Sequence, residues 1–134
     1  ILEQIQSSEP LSSPPFEDSS VGIIRELQDD EVSIQRLATF GRILTEQMVR
    51  EITVSEGLPW KGNLYEGIYE LGRHRRIAPW IISHFHTLRV LGNETVHGNQ
   101  SEDYVPADLQ DSDLVPVLAC LSRILSFWET WRDR

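Results

Sequence analysis

The sequence has one cysteine, Cys120, one methionine and one lysine, Lys61, among its 134 residues. A single cysteine can form neither an internal disulfide nor a multi-cysteine zinc site. Its place in the apolar run Leu114 to Leu125 reads as a buried small apolar residue rather than a nucleophile. No apolar run approaches the roughly 18 residues of a membrane span, and Ile1, Leu2, Glu3 and Gln4 lack the basic start and apolar centre of a signal peptide. The expectation is a cytoplasmic chain that does not engage membranes. Also missing are a Gly-rich phosphate loop, a serine in a nucleophile context and a cluster of carboxylates. His84 and His86 stand two apart, which on a helix sends the rings to different faces, so neither a metal site nor a cofactor is expected. The chain begins at Ile1 rather than Met, which suggests a fragment of something longer or a trimmed chain, and a missing part could hold the main activity.

With 40% hydrophobic residues the chain is long enough for one domain with a real core and too short for two ordinary ones. The net charge of -9 opposes wholesale binding of nucleic acid, because a phosphate backbone repels an acidic surface. The charge is uneven, however. Residues 1 to 31 carry eight acidic side chains against Arg25 alone, whereas residues 73 to 97 carry Arg73, Arg75, Arg76 and Arg89 against Glu94. Arg73, His74, Arg75 and Arg76 form a compact basic patch; such a patch suits a helix C-terminus and could also touch RNA, a nucleotide or an acidic partner.

Residues 1 to 19, rich in Ser, Pro and acids, read as a flexible linker, and residues 20 to 134 as the folded domain. Ser20 is placed to cap a short helix through Ile23, Ile24 and Leu27, after which Asp29-Asp30 interrupt it or cap the next helix. Ile34, Leu37, Leu44, Met48 and Ile52 then recur at helical spacing, predicting one long amphipathic helix from about Glu31 to Ser55. Gly57, Pro59 and Gly62 break the chain, and Asn63 is placed to cap a helix carrying Leu64, Ile68 and Leu71. A further helix should start at Pro79 and run to about His97, where Gly98 and Asn99 stop it. After a loop over 100–110, Asp111 or Ser112 should cap a last helix with Leu118, Leu121, Leu125 and Trp128 on its stripe. Nothing alternates like a strand. The fold class expected is all-α, a bundle of about four packed helices preceded by a disordered N-terminal segment. Phe127, Trp128 and Trp131 near the chain's end suit either core closure or an apolar dimer seam.

Arg89, Asn93 and His97 are each four apart, so one helix face carries all three. Two readings stay open. As a catalytic stripe, His97 would exchange a proton with a ribose hydroxyl, Arg89 would stabilise charge on a phosphate and Asn93 would orient either. As a structural stripe, Arg89 would pair with an acid of the long helix, Asn93 would bond a neighbour and His97 would cap the helix end.

The stretch Leu88-Arg89-Val90-Leu91-Gly92-Asn93-Glu94-Thr95-Val96-His97 resembles the signature of one branch of the HEPN superfamily, the domain of unknown function 4145 family. Arg42 to Glu46 resembles the Arg-to-Glu spacing on that family's first long helix, and Asn63 to Leu71 its second helix. The resemblance covers about residues 30 to 131. It implies a HEPN-like helical bundle that often dimerises and is joined to other domains in defence or signalling proteins. Some HEPN relatives are metal-independent ribonucleases with an Arg and a His four to six residues apart. In this chain His97 and Asn93 match that pattern, but Gly92 stands where the Arg belongs, and Arg89 sits a turn earlier. The functional expectation is therefore a noncatalytic module for dimerisation or docking within a longer parent protein. The alternatives are a metal-independent endoribonuclease using His97, Arg89 and Asn93, or an RNA or nucleotide sensor using Arg73, Arg75 and Arg76. Arg42, Glu46 and Gly92 are expected to be structural. A homodimer would place two Arg89-to-His97 stripes near its axis.

Overall fold

The computed structural model describes residues 14–28, 33–96 and 108–134, leaving aside the side chains of 14–20 and 94–96. Those residues form five α-helices and no strand: α1 (Pro14–Gln28), α2 (Ile34–Ser55), α3 (Leu64–Arg73), α4 (Pro79–Val96) and α5 (Leu114–Arg132). Four of them match the expected packed helices. The fifth, α1, starts at Pro14, so Ser20 lies inside a helix instead of capping one, and residues 14–19 are helical where a linker was expected. Proline suits a helix start because the first turn needs no donor from it.

Local chemistry explains most boundaries. Ser33, rather than Asp29 or Asp30, caps α2: its Oγ accepts from the Arg36 N–H at 3.3 Å. Its own N–H donates to Glu26 Oε1 of α1 at 2.8 Å, so an α1 carboxylate helps to fix the start of α2. Asp29 and Asp30 lie outside the described residues. Asn63 caps α3 as expected, its Oδ1 accepting from the Glu66 N–H at 2.8 Å. Pro79 opens α4, and Ala78 O accepts from Ile82 N at 3.2 Å. The last helix is entered differently from expectation. A 3-10 turn over Asp111–Asp113 precedes it, and the Asp113 carboxylate accepts from the Gln110 N–H at 2.8 Å.

Helix α2 packs against each of the other four. Gly22 lies against Phe40 while Glu26 reaches Ser33, so α1 folds back antiparallel along α2. The loop over 56–63, with Gly57 and Gly62 at φ 73° and 88°, doubles back, and Gly67 meets Val49 while Arg76 nears Glu56. Consequently α3 runs parallel to α2. Helix α4 returns antiparallel, with Gly92 against Ala38 and Arg42, and α5 completes the bundle with Leu121 beside Gly41. Leu37, Leu44, Met48, Ile68, Phe85, Leu88 and Leu121 are fully buried between these elements, and Phe127 meets Phe85 edge-on at 6.2 Å. Trp128 is buried and stacks on Trp131 at 5.1 Å, so the aromatics at the chain's end close the core. No helix among the described residues is long and apolar enough to cross a membrane.

Helix α3 ends in a Schellman motif: Arg76 N donates to Leu71 O and Arg75 N to Gly72 O, both at 3.1 Å. That places Arg75 in the left-handed region at φ 53°, the only described non-glycine residue there. An L-residue in that conformation costs roughly 1 kcal/mol, which glycine avoids. Arg75→Gly is expected to raise stability by about 0.5–1 kcal/mol in urea melts at constant m-value. A lower midpoint would mean that the Arg75 side chain itself holds the corner.

Candidate functional site

The polar stripe of α4 starts from a contact that only glycine permits. A Cβ on Gly92 would overlap Arg42 Cβ and stand 2.8 Å from the Ala38 carbonyl, so α4 lies directly on the α2 backbone at this level. The Arg42 stem passes over Gly92. Its Nε donates to Asn93 Oδ1 at 2.5 Å, and its Nη1 donates to Glu46 Oε2 at 3.4 Å. Arg42 and Glu46 retain 21% and 36% of their side-chain exposure, so this seam lies at the rim of the helix pair rather than in its core.

Arg89, one turn before Asn93, points elsewhere. Its Nε donates to His86 Nδ1 at 3.3 Å, and its guanidinium carbon lies 5.2 Å from the Tyr65 ring centroid. Tyr65 and His86 are themselves neighbours, with ring centroids 5.9 Å apart. Burial, together with the Arg89 charge, holds His86 below the ordinary imidazole pKa, which suits a neutral ring accepting at Nδ1. Arg89 therefore does not join Arg42 and Glu46, and among the described residues no carboxylate lies within ion-pair distance of it. The physical reason is that α3 places an aromatic face on the flank where Arg89 emerges. Of the expected site residues, then, the structure gathers Arg42, Glu46, Gly92 and Asn93, and turns Arg89 away from them, against Tyr65 of α3. His97 lies outside the described residues.

The basic patch also divides. Arg73 donates to Glu70 Oε2 at 3.1 Å, Arg76 stands 4.0 Å from Glu56, and Arg75 projects from the strained corner. Glu70 is the residue that one-sided charge counting overlooks. It is 2% exposed, yet Lys61 reaches Oε1 at 3.2 Å while Arg73 and His74 reach Oε2 at 3.1 Å. Hydrogen bonds from Arg73 and then Lys61 hold its pKa below the ordinary carboxylate value against the opposing effect of burial. Its spacing to Arg73 and His74, three and four residues on, was the available signal.

On the other flank of α4, His84 Nδ1 lies 3.3 Å from Cys120 Sγ, and Trp80 stands edge-on to His84 at 6.1 Å. His84 and His86 thus do diverge to opposite sides of the helix. Burial raises the Cys120 pKa above the ordinary thiol value, with a smaller opposing hydrogen bond from Thr87. The thiol is therefore a protonated core group. Among the described residues no group of three His, Cys, Asp or Glu side chains is arranged to hold a metal ion.

Comparison of the chain with protein-family models, with curated proteins and with solved structures finds no match.

The seam and Glu70 can each be tested by substitution. Gly92→Ala is expected to lose about 1–2 kcal/mol, because crowding at a packed contact outweighs the roughly 1 kcal/mol that alanine gains in a helix. Gly72→Ala, whose Cβ would meet only Ile82 at an ordinary 3.7 Å, should gain about 0.5–1 kcal/mol in the same melts. For Glu70 the folded pKa lies below the ordinary value of 4.5, so its contribution is full above that pH and is lost as pH falls through the lower folded value. The thermal midpoint of Glu70→Gln should accordingly fall well below that of the parent at pH 7, the gap closing only as pH falls below the ordinary carboxylate value of 4.5. A gap independent of pH would mean that the ion pairs contribute nothing.

Proposed function

We propose that the chain is a noncatalytic HEPN-like helical module that mediates dimerisation or protein docking within a longer protein. One observation carries this reading: Asn93 is bonded to Arg42 while Arg89 sits over Tyr65 and donates to His86. The polar groups of α4 are thus engaged by other helices of the same bundle. A metal-independent ribonuclease needs an arginine aimed at a phosphate beside the His97 imidazole. Here the matching arginine position is Gly92, and glycine at that position is what lets α2 and α4 meet. Acidic side chains outnumber basic ones 21 to 12, which disfavours RNA as the partner and favours a protein surface.

The test is incubation of a mixed single-stranded RNA pool with the purified chain and with His97→Ala, in excess chelator and at low salt. Neither protein should cut. Asn93→Ala should instead lose about 1–2 kcal/mol of stability, since it leaves the Arg42 Nε without its acceptor. Cleavage by the parent chain that disappears in His97→Ala would overturn the noncatalytic reading.

A further inference from the structure

Helix α2 carries one face that no other described helix covers. Ile43, Glu46, Gln47, Arg50, Glu51 and Val54 line a shallow groove of about 700 Å³ along its C-terminal half. Ile43 and Val54 remain 37% and 67% exposed at the two ends of this stretch. Order along the helix gives the face its meaning. Ile43 and Val54 stand equally far from the midpoint between Met48 and Val49, as do Glu46 and Glu51, and Gln47 and Arg50.

From this we propose that the face is a two-fold interface with a second copy of the chain, its α2 helices crossing antiparallel at the level of Met48 and Val49. The inference rests on the dimerisation part of the module reading and specifies its partner and surface. In two antiparallel helices related by a two-fold axis, each flank of one helix meets the same flank of the other. At about 100° per residue, Glu46 and Arg50 fall on one flank of the line joining Ile43 to Val54, and Gln47 and Glu51 on the other. The symmetry therefore sets Glu46 opposite the copy's Arg50, Gln47 opposite the copy's Glu51, and Ile43 opposite the copy's Val54. Each pair matches in height to within about one residue rise, roughly 1.5 Å. All three pairings are complementary under a single axis, and each forms twice.

Neighbouring groups already hold the charged members in place. Arg42 fixes the Glu46 carboxylate from within the helix, and the Arg50 guanidinium lies 5.6 Å from the Trp60 ring centroid. The α4 stripe is a poorer seam, since its Asn93 amide oxygen is already taken by Arg42. A footprint of twelve helical residues is about 17 Å long, at the small end of specific interfaces, so association should lie on the order of 10–100 µM.

Sedimentation equilibrium of the 134-residue chain from low to high micromolar concentration tests the proposal. The parent should dimerise, and Arg50→Glu or Glu46→Arg alone should each weaken association by about tenfold or more, because like charges then face across the axis. The double variant E46R/R50E, with its reciprocal pairs restored, should return to within about threefold of the parent. Glu46→Arg also removes the Arg42 partner and Arg50→Glu the contact with Trp60, so helical circular dichroism and urea midpoints of all three variants, measured at concentrations where each is monomeric, separate loss of folding from loss of association. A parent that stays monomeric throughout, a dimer indifferent to the single changes, or a double variant without rescue would each overturn the interface. None of these results touches the noncatalytic reading, which fails only if RNA is cut in a His97-dependent manner.

Discussion

The absence of a side chain at Gly92 sets the distance between α2 and α4, and most of the bundle depends on that distance. With α4 seated on the α2 backbone near Ala38, the Arg42 stem must run over Gly92, and Asn93 is the next residue able to accept its Nε. Glycine and asparagine thus act together, one admitting the arginine and the other satisfying it. Phe85 and Leu88, on the same side of α4, are carried into the core, Leu88 against Gly41. The remaining flanks of α4 are then the only places where α3 and α5 can pack, which is where Tyr65 and Cys120 meet it. Asn93 belongs to the same rim as Glu46, and the approach of two helices thereby becomes a polar seam as well as an apolar one.

The arginine-rich composition finds a structural reason in the surface. Arg50 lies over Trp60, Arg89 over Tyr65, Arg123 over Trp80 and Arg134 over Trp131, with guanidinium carbons 4.5 to 5.6 Å from the ring centroids. A planar, weakly hydrated guanidinium lies flat on an aromatic face, whereas an ammonium remains a hydrated point charge. Lysine therefore does not substitute well at such positions. Arg134 also reaches Glu56 at 2.9 Å, and Arg73 reaches Glu70, so much of the basic charge faces partners within the fold. A basic patch counted along the sequence dissolves into separate pairs once the helices are placed.

The parts of this structure legible in the sequence are those governed by near neighbours. Hydrophobic spacing locates α2 to α5, Asn63 and Pro79 mark helix starts, and Cys120 is recognisable as a core residue. The close contact at Gly92 is also readable, because a glycine inside an apolar helix has few other uses. What escapes depends on distant groups. Asp29, Asp30 and Ser33 all have capping chemistry, and the choice of Ser33 is reinforced by Glu26 on another helix. The start of α1 is hidden by serines, prolines and acids whose composition resembles a linker. Arg89, which the structural reading would pair with a carboxylate, lies over a tyrosine ring, a partner fixed only by the course of α3.

Whether a polar stripe acts on a ligand or holds a fold depends on what its groups do before any ligand arrives. A group that stabilises a transition state must exchange its resting partner for the reacting atoms, and a short charge-assisted bond makes that exchange costly. Arg42 is held by such a bond: moving its Nε from Asn93 to a phosphate would leave the amide oxygen without its donor beside Gly92. Arg89 is more loosely held, by a ring face and one imidazole nitrogen, but it lies on the α3 side of the stripe, away from the Arg42 seam. The two arginines nearest Asn93 therefore do not converge on one point. Divergent cations suit packing of several elements against one helix, whereas phosphoryl chemistry requires them to converge. That geometric difference is the physical ground on which the noncatalytic proposal rests.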